Sequence, residues 1–294
     1  GKAACEMLLS RKPVGLVSIV TPGGLPVEAN VVDACIGEGC AQCAVRKDAG
    51  DDADVTDGVL VYAHVEHAGS GTGAAGSKDV PARESEVSVD GGVGVGRVTL
   101  PGLEQPVGAA AINATPRAMI TSAVREVCAA HGFSGNIAVT ISVPEGVALA
   151  EKTFNPHLGI EDGISILGTT GIVEPRSLAA LRDSIELEIR QHAAMGRRGV
   201  VLTPGNYGGQ FISGHFHLNG APVVFISNFV GDAIDCCVRE GFTNVLLVGH
   251  IGKLVKVAGG IMDTHSRTAD CRAEILAAHA AMALSLIHIS EPTR

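Results

Sequence analysis

Short apolar runs alternate with amphipathic stretches in the second half of the chain. Four runs, each bounded by Gly, Pro or Asn, predict strands buried on both faces: GISIL (163–167), GVVLT (199–203), PVVFIS (222–227) and NVLLV (244–248). After the first run, Ile185 and Ile189 belong to an apolar series at helical spacing, and helical segments also follow the third and fourth runs. This alternation predicts an α/β domain with a Rossmann-like, mostly parallel sheet over residues 158–284.

Strand patterns dominate the first half. They are VGLVSIV, LPVEANVV, GVLVYAHVEH, SEVSVDGG and NIAVTISV. One clear helix lies in TPRAMITSAVREVCAAHGF, with Thr115 as the N-cap, Pro116 at the first helical position and Gly132 as the stop. These patterns predict an α+β domain over residues 1–157, built on a mostly antiparallel sheet. The polar, Gly-rich stretch 66–86 predicts an exposed loop.

Both ends of the chain interrupt a pattern. The chain opens without Met in the middle of a helical pattern, so we expect the first domain to be N-terminally truncated. The last segment, SLIHISEPTR (285–294), breaks the helical pattern before it, and we expect it to be a non-native tail.

Composition narrows the class of partner. The 294 residues are 46% hydrophobic and carry a formal net charge of −9, which argues against a nucleic-acid surface. The eight Cys residues lack disulfide-like spacing, which predicts reduced thiols and a cytoplasmic location. No apolar run reaches the roughly 18 residues that span a bilayer, so we expect no membrane partner. A homo-oligomer is compatible with the sequence.

Polar residues follow each predicted strand of the second half, at the edge where open α/β sheets bind ligands. The strand-end loops carry Thr169, Thr170, Asn206, Tyr207, Asn228, Asp232, His250 and Lys253. The next helix start adds Thr264, His265, Ser266 and Asp270. The pattern predicts a ligand site at this edge without indicating which ligand it takes.

Three other patterns each have two interpretations. Asp90 followed by alternating glycines is either a turn for S-adenosylmethionine or a hairpin turn. The acidic segment 45–58 either binds a cation or is a solvated loop. His64 with Glu66 and His215 with His217 could bind a metal, but each pair lacks a third ligand, so ordinary strand residues are favoured. Cys40 and Cys43 form a possible ligand pair, but a second cysteine pair is lacking.

Long motifs along the chain resemble the CbiD family, the cobalt-precorrin-5B methyltransferases of the anaerobic cobalamin pathway. The resemblance covers nearly all of residues 3–284 and is carried by KDAGDDADVTDG, GGVGVGRVTLPGL, KTFNPHLGI, GISILGTTGIVEP, PGNYG, SNFVGD, GHIGKLVKVAGGI and THSRTAD. It implies transfer of the methyl group of S-adenosylmethionine to carbon 1 of the corrin precursor. The cobalt belongs to the substrate, and we expect no protein-bound metal.

The resemblance also suggests roles for individual residues. Those expected at the cofactor are Gly168, Thr169, Thr170, Gly171, Gly205, Asn206, Tyr207 and His250. Those expected at the substrate, mostly at its carboxylates, are Arg97, Arg117, Lys152, Lys253, Thr264 and His265. An acidic side chain near the sulfonium would favour cofactor binding by charge, and the candidates are Asp48, Asp51 and Glu174.

Two other functions remain compatible with the residues. The first is a nucleotide- or phosphate-binding α/β enzyme that uses the GTTG turn (168–171) as an anion cradle, although the chain lacks a P-loop Lys-Ser/Thr. The second is a non-catalytic corrinoid-binding protein.

Overall fold

The computed structural model describes residues 1–50, 54–68, 85–153, 155–168, 178–215 and 220–289. The chain divides into two compact units, Gly1–Arg176 and Ser177–Arg294, each with its own hydrophobic core. Both units contain helices and strands, as the sequence predicts. The domain boundary after residue 157 stays a prediction.

A six-stranded sheet forms the first unit, in the order β1-β2-β3-β4-β8-β5. Its strands are β1 (Leu16–Val20), β2 (Pro26–Ile36), β3 (Cys40–Arg46), β4 (Leu60–His67), β5 (Val87–Gly91) and β8 (Ile137–Ser142). Neighbouring strands are antiparallel except β5, which runs parallel to β8. Two small ladders pair β6 (Gly94–Val95) with β10 (Gly163–Ile164) and β7 (Arg97–Val98) with β9 (Ile160–Glu161).

Helices α1 (Lys2–Ser10) and α2 (Ala114–Ala130) pack against each other and against this sheet. Met7 and Val124 contribute to the core between them and are fully buried. The unit also contains α3 (Gly146–Ala150) and a 3-10 helix at Asn155–Leu158.

Helix α2 begins two residues earlier than predicted, at Ala114 instead of Pro116. The extended residue before it is Asn113, whose carbonyl accepts the N–H of Arg117 at 3.1 Å, so Thr115 already lies in the first turn. The prediction of Thr115 as the N-cap was therefore wrong. The stop at Gly132 agrees with its φ of 62°, the left-handed conformation that glycine adopts without strain.

The second unit contains three parallel strands in the order β12-β11-β13. They are β11 (Gly199–Thr203), β12 (Val223–Phe225) and β13 (Asn244–Leu247). Its helices are α4 (Leu178–Ala194), α5 (Asn206–His215), α6 (Val230–Arg239), α7 (Ile251–Ala258) and α8 (Arg272–Ile289). The central strand β11 is buried, as predicted. Strands β12 and β13 lie on either side of it and are less buried than predicted, with Val245 and Leu246 of β13 about 40% exposed.

Three further sequence predictions were wrong. The run at 163–167 forms a strand only at Gly163–Ile164, and this strand pairs with β6 of the first unit instead of joining the C-terminal sheet. His215 ends helix α5 and does not lie on a strand. Helix α8 continues to Ile289, so the helical pattern does not break at residue 285.

Candidate functional site

A cavity of about 570 Å³ opens at the carboxyl ends of the three parallel strands of the second unit. Strands β12 and β13 flank β11 on opposite sides, so the direction in which strands are added to the sheet reverses between β12 and β13. Such a reversal of strand order is where open α/β sheets bind ligands. Nine residues that the sequence predicts at a ligand site line the cavity, namely Gly205, Tyr207, Asn228, His250, Lys253, Thr264, His265, Ser266 and Asp270.

Gly208 allows helix α5 to start against the strand ends. A Cβ atom at this position would lie 2.0 Å from the Thr203 hydroxyl oxygen and 2.7 Å from the Val248 carbonyl oxygen. Both distances are too short for any side chain. The glycine therefore sets how closely the PGNYG segment approaches β11 and β13, and with it the shape of the cavity wall.

Lys253 joins the loops that surround the cavity. Its ammonium group donates to the carbonyl oxygens of Pro204 (2.7 Å) and Ser227 (3.2 Å) and to the side-chain oxygen of Asn228 (3.0 Å). Ser227 adopts the left-handed conformation, with φ of 52°. Burial, and then the neighbouring charge of Lys256, lower the pKa of Lys253. All three N–H donors are used within the protein, so Lys253 offers a ligand its positive charge and not a hydrogen bond.

Lys256 lies one helical turn further along α7 and is only 4% exposed. Its ammonium group donates to the carbonyl oxygens of Thr264 (3.2 Å) and Ala269 (2.7 Å), and lies 3.5 Å from a carboxylate oxygen of Asp270. Asp270 is also paired with Arg272 at 2.8 Å, and this hydrogen bond leads the contacts that lower the pKa of Asp270.

Positive charge exceeds negative charge around the cavity. Lys253, Lys256 and Arg272, called the cationic cluster below, face a single carboxylate, Asp270, among the described residues that line it. Opposite charges attract strongly where solvent is partly excluded. The cavity therefore favours a ligand that carries carboxylate or phosphate groups, although the chain as a whole is acidic.

Two histidines at the cavity have defined ring orientations. Nδ1 of His250 accepts the N–H of Gly252 at 3.1 Å, which caps helix α7 and leaves Nε2 as the protonated nitrogen of the neutral ring. Nδ1 of His265 accepts the N–H of Arg267 at 3.0 Å in the same manner. The ring of Tyr207 meets His250 edge-on, with centroids 5.6 Å apart.

The basic candidates of the first unit are not part of this cavity. Arg97 donates to both carboxylate oxygens of Asp90 (2.8 and 3.1 Å) and to the carbonyl of Gly91 (2.7 Å). These contacts, led by the Arg97 hydrogen bond, lower the pKa of Asp90. Arg117 donates to the carbonyl of Val89, whereas Lys152 is exposed. Both arginines thus hold strand β5 from within the unit.

The glycine-rich turn after Asp90 is filled by the protein's own backbone. A Cβ atom at Gly94, where φ is 75°, would lie 1.7 Å from the carbonyl oxygen of Val143. One at Gly163 would lie 2.4 Å from the carbonyl carbon of Gly94. Close packing accounts for these glycines and favours the turn interpretation over a cofactor cradle.

The described carboxylates of the acidic segment support their own loop. Asp48 accepts the N–H of Gly50, and Asp57 accepts the N–H of Ala49, both at 2.9 Å. Asp54 is bonded to Lys47, as well as to Thr56. Burial opposes its ionisation, but these hydrogen bonds outweigh it and lower the pKa of Asp54.

Several predicted site residues lie outside the described residues. They are Asp51, Thr169, Thr170, Gly171 and Glu174, together with the side chain of Asn206. Gly168 is described and belongs to the first unit.

The histidine and cysteine pairs gain no further metal ligands in the described part of the chain, where no group of three or more His, Cys, Asp or Glu side chains could hold an ion. His64 lies 3.7 Å from Glu66, whereas His217 is outside the described ranges. Cys40 and Cys43 are three residues apart on β3 and therefore point to opposite faces of the sheet. Across the same described ranges, every helix is too short or too polar to cross a bilayer.

Comparison with known proteins decides the family. A sequence model of the CbiD family matches residues 1–175. The chain belongs to the CbiD family. This CbiD chain is 46% identical over 281 residues to a protein of Ruminiclostridium cellulolyticum, covering 96% of the chain and 69% of the relative. It is 45% identical to one of Alkaliphilus metalliredigens, covering 95% of the chain and 70% of the relative. Both relatives are named cobalt-precorrin-5B C(1)-methyltransferase, in agreement with the predicted methyltransferase class.

A solved structure of a CbiD protein is also similar. The crystal structure of a cobalamin biosynthesis protein (CbiD) from Archaeoglobus fulgidus covers 92% of this chain and 80% of its own chain. The two sequences are 27% identical, and the TM-score is 0.44.

Sequence reasoning missed two cations of this CbiD cavity, Lys256 and Arg272. A signal for Lys256 was present, because two lysines three residues apart interrupt the otherwise apolar segment of helix α7. Lysine is almost never fully buried unless it is paired, so a second lysine on the same face indicates internal acceptors. Arg272 opens helix α8 and carried no comparable signal.

Proposed function

We propose that this chain is a cobalt-precorrin-5B C(1)-methyltransferase of cobalamin biosynthesis that uses S-adenosylmethionine as its methyl donor. The observation that carries the reaction is the 45–46% identity, over at least 95% of the chain, to relatives of that name. Its second unit serves as a small Rossmann-like ligand-binding domain. The cavity at the strand ends supports this role because it joins the predicted residues of several loops around one space.

The residues at the cavity fit such a donor. About 570 Å³ is within the usual range for small-molecule sites, roughly 300–1,000 Å³. The cationic cluster suits the carboxylate of the donor, and the Nε2–H of His250 is a hydrogen-bond donor at the same wall. When bound, the donor supplies a methyl group on a positively charged sulfur. The protein's task is to place this group, and accurate placement is worth about 7–11 kcal/mol of the barrier.

The substrate candidates fall into two groups. Lys253, Thr264 and His265 line the cavity, whereas Arg97, Arg117 and Lys152 belong to the first unit. We propose that the basic residues contact substrate carboxylates. For Arg97 this requires an exchange of its partner Asp90, so exposed Lys152 is the simplest contact of the first unit. Asp48, Asp51 and Glu174 remain proposals for the acidic group near the sulfonium, and Gly168, Thr169, Thr170, Gly171 and Asn206 for cofactor contacts.

Calorimetry tests the proposal directly. The chain is titrated with S-adenosylmethionine, S-adenosylhomocysteine and ATP, each with and without a cobalt corrinoid. We expect heat with both sulfur compounds and no competition by ATP. A Tyr207→Ala variant should weaken cofactor binding, whereas Tyr62→Ala, which changes a residue of the first unit that does not line the cavity, should not. Competition by ATP would instead support a nucleotide-binding enzyme, and corrinoid binding without methyl transfer would support a carrier.

A further inference from the structure

The side chain of Asn228 is held at the cavity wall by its oxygen atom. Asn228 follows strand β12 and lines the cavity, where it is half-buried. Its Oδ1 atom accepts from the ammonium group of Lys253 at 3.0 Å and from the hydroxyl group of Thr264 at 3.5 Å. Lys253 belongs to helix α7 and Thr264 to the segment before helix α8, so two separate parts of the chain fix this amide.

The contact with Lys253 decides which way the amide of Asn228 faces. An ammonium group donates hydrogen bonds and accepts none, so the atom that meets it must be the amide oxygen. The amide nitrogen, Nδ2, therefore lies on the other side of the group, and within the described ranges it has no hydrogen-bond partner. No buried side-chain nitrogen in those ranges lacks a partner, so Nδ2 is open to the cavity that Asn228 lines.

The backbone of Asn228 is fixed as well. Its carbonyl oxygen accepts the N–H of Thr264 at 3.0 Å and the N–H of Val230 at 3.1 Å. The residue before it, Ser227, has a φ of 52°, a left-handed conformation that is uncommon outside glycine. Backbone and side-chain contacts together leave the amide little freedom. A donor that is already fixed loses little entropy when a ligand binds to it.

The two lysines of the cationic cluster attract an anion but use their N–H groups within the protein. Lys253 donates to three oxygen atoms, and Lys256 donates to two carbonyl oxygens and lies 3.5 Å from Asp270. Nδ2 of Asn228 belongs to the amide that Lys253 contacts, so an acceptor bound to Nδ2 also lies close to the ammonium charge. The arrangement therefore favours a negatively charged acceptor such as a carboxylate.

We propose that Nδ2 of Asn228 donates a hydrogen bond to the carboxylate of the methyl donor, and that Lys253 positions the amide for this contact. The inference rests on the proposed function and adds the residue that recognises one end of the donor. The corrinoid also carries carboxylates, but they lie around a large macrocycle. The cavity, at about 570 Å³, has the size of a small-molecule site, which favours the methyl donor.

Asn228→Asp separates this hydrogen bond from the stability of the fold. Aspartate has the shape of asparagine and keeps an oxygen atom for Lys253, and the contact becomes an ion pair, so the unfolding temperature should not fall. Its second oxygen atom replaces the N–H donor and adds a negative charge next to the ligand's carboxylate. Calorimetry on the full 294-residue chain should show an affinity for S-adenosylhomocysteine that is lower by about 10-fold or more.

Decarboxylated S-adenosylhomocysteine tests which end of the donor Asn228 contacts, because it lacks only the carboxylate. It should bind wild type about 10-fold more weakly than S-adenosylhomocysteine does. Asn228→Asp should cause no further loss of its affinity, since both changes remove the same hydrogen bond.

Two controls complete the experiment. Asn244→Asp makes the same change of charge at an exposed position of strand β13 that does not line the cavity, and should leave the affinity for S-adenosylhomocysteine within about 2-fold of wild type. Cobyrinic acid, a polycarboxylate corrinoid, is titrated into wild type and Asn228→Asp and followed by its visible absorbance. The two proteins should bind it within about 2-fold of each other.

The ligands distinguish the possible results. Equal affinity of wild type and Asn228→Asp for S-adenosylhomocysteine would overturn the role of Asn228 and leave the proposed function intact. Equal losses for S-adenosylhomocysteine and its decarboxylated form would place Asn228 at the nucleoside end of the donor, and a loss for cobyrinic acid alone would assign it to the corrinoid. Either result would contradict the inference.

The unfolding temperature checks the orientation of the amide. If Asn228→Asp unfolds at a lower temperature than Asn244→Asp, the oxygen atom of Asn228 does not face Lys253, and the inference is wrong. If the wild-type chain binds neither S-adenosylmethionine nor S-adenosylhomocysteine, the proposed function fails and the role of Asn228 is rejected with it.

Discussion

The ammonium nitrogen of Lys253 lies 2.7 Å from the carbonyl oxygen of Pro204, so helix α7 is tied to the first residue after strand β11. The same ammonium group also holds Ser227 and Asn228, which follow β12. One side chain thus joins the loops after two of the three parallel strands. Its three partners are neutral carbonyl and amide oxygens, and within the described ranges it is paired with no carboxylate. The lysine therefore shapes the cavity and also keeps it positive.

Replacing Lys253 by Met should destabilise the second unit. The substitution keeps most of the apolar stem but leaves three oxygen acceptors without their donor, which costs about 1–3 kcal/mol. Urea denaturation followed by circular dichroism measures the free energy of unfolding. Arg197→Met, at an exposed position of the same unit, is the control and should stay within about 0.5 kcal/mol of wild type. An unchanged Lys253→Met variant would show that the ammonium group does not hold these loops.

Gly208→Ala tests whether close packing sets the cavity wall. A methyl group at this position meets the Thr203 hydroxyl at 2.0 Å, and helix α5 can avoid it only by moving away from the strand ends. We expect a loss of about 1–3 kcal/mol in the free energy of unfolding, and weaker binding of S-adenosylhomocysteine in calorimetry.

A matched glycine lies in the same helix. A Cβ atom at Gly214 has no neighbour within 4 Å, so Gly214→Ala should raise helix stability slightly, by up to about 1 kcal/mol. Both Gly208→Ala and Gly214→Ala replace glycine by alanine in the same helix, so they differ mainly in the surroundings of the new methyl group. If both changed the thermal unfolding temperature equally, close packing at Gly208 would not set its effect.

Local sequence patterns predicted most of the helices and strands, but they did not predict every pairing between strands. Ile185 and Ile189 of helix α4 are buried, as their helical spacing predicts. Strand β3 was not recognised, because its alternation around Cys40 and Cys43 was interpreted only as a possible ligand pair. The short strand at Gly163 was assigned to the wrong sheet. Its partner is fixed by backbone contact with Gly94, about 70 residues away, and no local pattern encodes such a contact.

Some residues of the candidate site could be predicted from the sequence. Strand-end loops meet at one edge of a parallel sheet, so residues such as Tyr207, His250 and Thr264 could be grouped without coordinates. Arg97 and Arg117 could not be excluded from this group, since their internal partners Asp90 and Val89 depend on the tertiary structure. Helix α5 was not predicted either, because PGNYGGQFISGH reads as a loop when its glycines are given full weight.

Asn155 supports the first unit through both ends of its amide. It is 5% exposed, donates to the carbonyl of Gly163 and accepts from the Ser165 hydroxyl, each at 3.1 Å. Asn155→Leu should lower the free energy of unfolding by about 1–3 kcal/mol, because both partners are left without a bond. Ser165→Ala removes only one of the two bonds and should cost about 0.5–1.5 kcal/mol. If Ser165→Ala lowered the free energy of unfolding more than Asn155→Leu in chemical denaturation, the Asn155 amide would not be the group that holds these residues together.

Glu188 should make the stability of the second unit depend on pH. It is 8% exposed on helix α4, and burial raises its pKa from the ordinary 4.5 to about 7. The folded state therefore keeps this proton to a higher pH than the unfolded state does. Its contribution to stability is complete below pH 4.5 and is lost as pH rises through about 7.

Glu188→Gln isolates this effect, because glutamine keeps the shape of the protonated side chain and does not ionise. The variant should gain stability relative to wild type as pH rises from 4.5 to 8, by up to about 3 kcal/mol at 1.36 kcal/mol per pKa unit. Urea denaturation at several pH values measures the difference in the free energy of unfolding between the variant and wild type. The contributions of the other titrating groups are the same in both proteins and cancel in this difference. Asp183→Asn, at an exposed position of the same helix, should change stability by less than about 0.5 kcal/mol throughout. A constant difference between Glu188→Gln and wild type would mean that Glu188 ionises in the folded state as readily as in the unfolded chain, and that its burial is relieved by solvent.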